Sequence, residues 1–151
     1  KNLLFSGVIR PLVIHGDLVC TNKYMSTIRQ IINNSSEKSI VFTHKRWAVR
    51  SRSEIVKKQD GSVQITEKIN SKSIQHKIKN IFRNQQSFSG ILQIANVNLI
   101  NYHPNKGDSL SPNLINFIST NFGMVCATNS ETRISVDSIR QYKNAKMVAR
   151  I

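Results

Sequence analysis

Apolar positions along the chain alternate between the period of a strand and the period of a helix, and the changes mark out the elements. Leu3 to Ile9 and Leu12 to Cys20 are short apolar-rich runs parted by Arg10-Pro11, which predicts two strands. Across Asn22 to Asn33 the spacing shifts. Met25, Ile28 and Ile32 recur at i, i+3, i+7, one face of a helix. Ser39 to Val49, with Ile40 and Phe42 two apart, returns to the strand period.

The sharpest local signal is Gln59-Asp60-Gly61-Ser62, set between Ser53 to Lys58 and Val63 to Ile69. Asp-Gly at the centre predicts a hairpin with a type I′ turn, where both central residues need positive φ. That turn pairs Val56 with Ile65 and Lys58 with Val63. On the chain just before it, Arg50 and Arg52 stand two apart and share a face. Asn70 to Gln85 then reads as a helix capped by Asn70 or Ser71. Its apolar stripe is Ile74, Ile78, Ile81 and Phe82, and Lys72, His76, Lys79 and Arg83 fall on the opposite face.

Phe88 to Asn101 reads as one long strand, or two with a bulge at Ala95-Asn96. His103 to Asp108 is a polar loop. Ser111-Pro112 opens a helix carrying Leu114, Ile115, Phe117 and Ile118, and Gly123 stops it. Met124 to Thr128 and Thr132 to Val136 read as strands, and Asp137 to Val148 as a last helix. Strands and helices mix without a βαβ rhythm. The expected fold class is therefore α+β, a single domain over residues 1–151. It should hold a mainly antiparallel sheet, three to four helices, and a basic β-hairpin followed by a basic amphipathic helix.

Charge changes this picture most. The chain has 22 Lys and Arg against 8 Asp and Glu, a net of +14 over 151 residues. Residues 41–84 hold 11 basic and 3 acidic groups, so under a third of the chain carries over half the charge. A localised basic surface follows. The residues expected to build it are Lys45, Arg46, Arg50, Arg52, Lys57 and Lys58 on the hairpin, with Lys72, His76, Lys79 and Arg83 on the next helix. A solvated helix face usually mixes signs to gain i, i+4 pairs, and this one has no acid. Phosphates need donors at such repeated short intervals, and Trp47 within the basic run could stack on a base or anchor the core. Hydrophobic residues at 39% keep the chain out of the disordered class, and the length supports a core without staples.

Other chemistry finds less support. His15, His44, His76 and His103 show no ligand spacing, and Cys20 and Cys126 form no CxxC, so neither a metal nor a cofactor is expected. Both thiols sit in apolar runs and are expected to be buried and unpaired. No phosphate-binding glycine loop occurs. With so few acids, a two-metal nuclease would have to draw on Glu54, Asp60 and Glu67, and Asp60 is already committed to the turn. Gly107-Asp108-Ser109-Leu110 matches the GDSL tetrapeptide of a family of esterases, but no histidine follows His103, and a polar turn before a capped helix accounts for those residues. No run approaches the length of a membrane helix. Lys1 stands first, so the chain is expected to be processed, trimmed or part of something longer.

These features together predict an RNA-binding, non-enzymatic component of a larger intracellular assembly, such as a divergent ribosomal or mitoribosomal protein, in contact with other protein subunits. Two alternatives stand beside it. One is a small metal-independent ribonuclease or toxin domain using His44 or His76. The other is a structural assembly protein, such as a viral coat or secretion-system subunit, with a possible Cys20–Cys126 bridge.

Overall fold

A computed structural model describes residues 10–35, 38–47, 53–67, 84–96, 102–103, 110–129, 133–136 and 139–148. Within them the chain forms β1 (Leu12–Ile14), β2 (Leu18–Cys20), α1 (Asn22–Asn34), β3 (Ser39–Trp47), β4 (Ser53–Lys57), β5 (Val63–Glu67), β6 (Asn84–Gln93), α2 (Leu110–Phe122), β7 (Met124–Thr128), β8 (Arg133–Ser135) and α3 (Ile139–Val148). The protein is a small α+β domain with a mixed sheet and, among the described residues, three helices.

The main sheet has four strands in the order β1-β6-β3-β7. β6 runs antiparallel to β1 and to β3, but β3 and β7 are parallel, from Ser39 opposite Met124 to Thr43 opposite Thr128. The expectation of a mainly antiparallel sheet is thus corrected to a mixed one. Partners distant in sequence, with α2 leading into β7, leave no turn signal from which a parallel pair could be read.

Both faces of this sheet are covered. Ile40, Phe42 and Ile91 pack with Tyr24 and Ile28 of α1 on one side. Val41 and Leu92 pack with Ile55, Val63, Ile65, Ile115, Ile118 and Met124 on the other. A strand buried on both faces needs no alternation, and β3 accordingly runs Ile40-Val41-Phe42, all fully buried. α1 is held at its start by Thr21, whose hydroxyl accepts from the Tyr24 backbone N–H at 3.1 Å.

The hairpin forms, with a different turn and register. β4 and β5 pair Lys57 with Val63 and Ile55 with Ile65. Gly61 at φ +81° is in the left-handed region and Asp60 is not, which excludes type I′. Gly61 N–H donates to the Lys58 carbonyl and Lys58 N–H to the Ser62 carbonyl, a turn closed by a left-handed glycine. The Asp60 carboxylate accepts from Ser62 N–H at 2.8 Å, and the Ser62 hydrogen bonds hold its pKa below the usual carboxylate value. The one-residue change exchanges faces, so Ile55 is buried and Val56 lies exposed.

The outer edge of β5 is paired by side chains of α2 rather than by another strand. Asn116 accepts from Ile65 N–H at 2.8 Å and donates to the Ile65 carbonyl at 3.1 Å. Ser119 Oγ accepts from Val63 N–H at 2.6 Å. Satisfied in this way, β5 can pack under a helix without an unpaired edge.

β2 and β8 form a separate two-stranded ribbon, with Cys20 opposite Arg133, and α3 packs against it. α1 and α2 end within a residue of the expected limits. Asn84 and Gln85, expected to end a helix, instead begin β6.

Candidate functional site at the carboxyl ends of β3 and β7

In open sheets, ligands bind in the crevice beyond the carboxyl ends of parallel strands. Here β7 stops at Thr128 while β3 runs on to Trp47, paired with β6 alone. That step sets a row of polar groups side by side. Thr43 Oγ1 donates to Gln86 Oε1 of β6 at 2.7 Å and lies 3.2 Å from Thr128 Oγ1 of β7. Asn129 closes the row. Its backbone N–H donates to the Thr43 carbonyl at 2.9 Å, and its amide donates to the Tyr24 carbonyl, which ties the sheet end to α1.

Arg133 approaches from the ribbon on the other face of the sheet, where His44, the next residue along β3 from Thr43, is directed. Its Nη2 lies 2.9 Å from both ring nitrogens of His44 and 3.5 Å from the Phe88 carbonyl oxygen. A single atom equidistant from both ring nitrogens stands over the face of the imidazole. Around the same guanidinium stand Cys20 and Tyr24. Burial pushes the Cys20 thiol up, and the positive charge of Arg133 draws it part of the way back. Burial likewise raises the Tyr24 phenol, against the opposing pull of Ser89 and Arg133. The Tyr24 and Ser89 hydroxyls face one another fully buried, without a hydrogen bond of good geometry. His15 stands edge-on to the Phe88 ring at 5.3 Å. It lies over Gly90, whose φ of +84° is the left-handed conformation that glycine adopts without strain.

A guanidinium, an imidazole and the Asn129 amide thus lie at this strand end on the α1 face, and two hydroxyls with the Gln86 amide on the other. The guanidinium is a donor suited to an anion. Among the described residues no group of three or more His, Cys, Asp or Glu could hold a metal ion.

Four of the ten basic residues singled out in the sequence, Lys45, Arg46, Lys57 and Lys58, fall within the described residues. Lys45 is exposed on β3 of the main sheet, one residue beyond His44, and the Arg46 backbone follows it opposite Gln85. Lys57 and Lys58 are exposed on the hairpin, which is a separate sheet. The expectation that one hairpin carries Lys45, Arg46, Lys57 and Lys58 is thereby corrected. Arg50, Arg52, Lys72, His76, Lys79 and Arg83 lie outside the described residues, as does the Trp47 side chain. Both cysteines are free, Cys20 half-buried as an interior thiol and Cys126 exposed, contrary to expectation, because its apolar run forms an edge strand. No described helix is long and apolar enough to cross a membrane. Of the site residues His15, Cys20 and His44 were named in the sequence reading. Thr43, Gln86, Thr128, Asn129 and Arg133 carry no motif and meet only through the parallel pairing.

No known family matches the chain by sequence, and no curated protein does. Solved structures do match it in fold. One is a protein assigned as a glucose-1-phosphate thymidylyltransferase from Bacillus anthracis, in complex with a sucrose. It is 16% identical with a TM-score of 0.65, over 97% of this chain and 56% of that one. Another is HddC from Yersinia pseudotuberculosis complexed with GMP-PN, 16% identical with a TM-score of 0.59, over 95% of this chain and 57% of that one. A second structure of HddC matches with a TM-score of 0.56 at 16% identity, over 90% of this chain and 53% of that one. The chain thus spans a little over half the length of these structures.

These likenesses correct the functional expectation drawn from charge. The chain shares its fold with a protein assigned as a glucose-1-phosphate thymidylyltransferase and with HddC, and not with a ribosomal or ribonucleoprotein component as expected. The net charge attracts polyanions in general and does not choose among them.

Proposed function

We propose that this chain serves in nucleotidyl transfer to a phosphorylated sugar, and that it binds the nucleotide's phosphates at the carboxyl ends of β3 and β7. The observation that carries this reading is the fold likeness to the Bacillus anthracis protein, which extends over 97% of the chain. The placement of Thr43, His44, Gln86 and Arg133 at the step in the sheet supports it, because that is where open sheets take ligands.

In such a transfer, a phosphate oxygen of the sugar phosphate attacks the α-phosphorus of a nucleoside triphosphate. A new P–O bond forms as the bond to the β-phosphate oxygen breaks, and pyrophosphate leaves with the electron pair. Negative charge gathers on the phosphoryl oxygens, and fixed positive groups lower its cost. Among the described residues, Arg133 against His44 and the exposed Lys45 are cations at this end of β3 that could do so. Because the chain spans 56% of its neighbour, the proposal assigns it nucleotide binding first and turnover second.

The test is a pyrophosphate-release assay with each common nucleoside triphosphate and a set of hexose 1-phosphates. Release that needs both substrates supports the proposal. No release, together with no binding of any nucleotide, overturns it.

A further inference from the structure

We propose that the outward face of α3 is a contact surface for an anionic phospholipid bilayer, laid on the membrane rather than through it. α3 packs on the β2–β8 ribbon and turns Ala145 inward. Lys143 and Met147 stand two positions either side of Ala145, which at 3.6 residues per turn is about 160° round the helix, so they face away from the domain. Lys143 and Lys146 are exposed. Met147 and Tyr142, at 62% and 53%, are the most exposed of the large hydrophobic side chains described. The Lys146 ammonium lies 4.8 Å from the centre of the Tyr142 ring, which holds a cation and an aromatic together on one flank. The stretch from Ile139 to Val148 holds Arg140, Lys143 and Lys146 and no acid. An exposed helix usually mixes signs, and like charges set three apart repel until an anion covers them.

Charge and area choose the occupant. A second copy of the chain, also at +14, is repelled. α3 has 10 residues. Such a helix is about 15 Å long and offers a strip of roughly 150 Å². A standard protein interface buries about 800 Å² on each partner, far more than this strip. A bilayer makes no such demand, because it needs no matching shape and each contact adds separately. Lysines close to an anionic leaflet are drawn to its headgroups. A tyrosine ring settles at headgroup level, and an exposed apolar side chain such as Met147 enters the boundary of the acyl chains. Cations, ring and thioether are thus on the one face that the domain leaves open.

The experiment is co-sedimentation of the whole chain with phosphatidylcholine vesicles, with and without about 30% phosphatidylserine, over a salt series. Wild type is expected to sediment with the phosphatidylserine vesicles and not with phosphatidylcholine alone. Each lysine near such a surface is worth about fivefold, so Lys143→Gln with Lys146→Gln should weaken binding about tenfold or more. Lys57→Gln with Lys58→Gln removes the same charge from the hairpin and should cost less than about threefold, the share of screened long-range attraction. Met147→Ser should weaken binding about threefold or more, and the loss should persist at high salt, where the ionic part has faded. Urea midpoints near wild type show that each variant is folded. The inference stands apart from the nucleotide-binding reading, so the α3 variants should bind nucleotide as wild type does. No sedimentation with phosphatidylserine overturns it, as does equal sedimentation with phosphatidylcholine alone. Equal losses from the two lysine pairs would show diffuse charge rather than a face, and would also overturn it. A poly-glutamate peptide that binds through Lys143 and Lys146 while vesicles do not would assign the face to an acidic protein and refute the lipid.

Discussion

Replacing Asn116 with alanine tests whether a helix side chain serves as the missing neighbour of β5. The Asn116 amide makes two hydrogen bonds to Ile65, at 2.8 Å and 3.1 Å, in a half-buried setting. Each is worth about 1 kcal/mol net, and more if water fails to reach the abandoned backbone groups. Against that loss, alanine is the better helix former by roughly 0.5 kcal/mol. The expected cost is therefore about 1.5 to 2 kcal/mol, seen as a lower urea midpoint with unchanged slope. For a chain of this size it corresponds to a fall of roughly 3 to 8 °C in melting temperature. Asn121→Ala is the control. Asn121 lies on the same helix, exposed, and donates only to the Phe117 carbonyl one turn back. Its replacement should be neutral or slightly stabilising. Equal effects at the two positions would refute the reasoning, since the clamp would then contribute nothing beyond helix propensity.

Thr21→Ala removes the cap of α1 and should cost about 1 kcal/mol in chemical denaturation, whereas Thr21→Ser should cost little. Gly90→Ala puts a side chain on left-handed backbone, so a loss of roughly 1 to 2 kcal/mol is expected, and an unchanged midpoint would contradict the positive φ there. Cys20 and Tyr24 both have folded pKa values raised by burial. Their neutral forms therefore contribute stability that is complete below the ordinary thiol value of about 8.5 and is lost as pH rises through the folded values. Urea midpoints should hold steady to that point and fall above it, with Cys20→Ala flattening the first part of the fall. A midpoint that rises with alkali would show the sign to be wrong.

The elements that local chemistry dictates were legible in the chain. α1 follows from the spacing of Met25, Ile28 and Ile32, and α2 with β7 from Ser111-Pro112, Gly123 and the apolar run after it. The hairpin was legible in place but not in register. Asp-Gly serves two turn types, and only the φ of Asp60 decides between them. What was not legible was everything that depends on distant pairing. The parallel contact of β3 with β7 joins residues far apart in sequence, with no local signal at either end. The approach of Arg133 to His44 spans 89 positions. Charge was legible as a quantity and silent about its ligand, because a sum of +14 attracts any polyphosphate.

The most direct test of the proposed function is to titrate nucleoside triphosphates into isotopically labelled protein and follow backbone amide resonances. The proposal predicts saturable shifts for at least one nucleotide, with a dissociation constant of about 1 mM or tighter. Those shifts should concentrate at Thr43, His44, Gln86, Thr128, Asn129 and Arg133. No shifts at several millimolar nucleotide, or shifts confined to exposed lysines such as Lys57 and Lys58 of the hairpin, would contradict it.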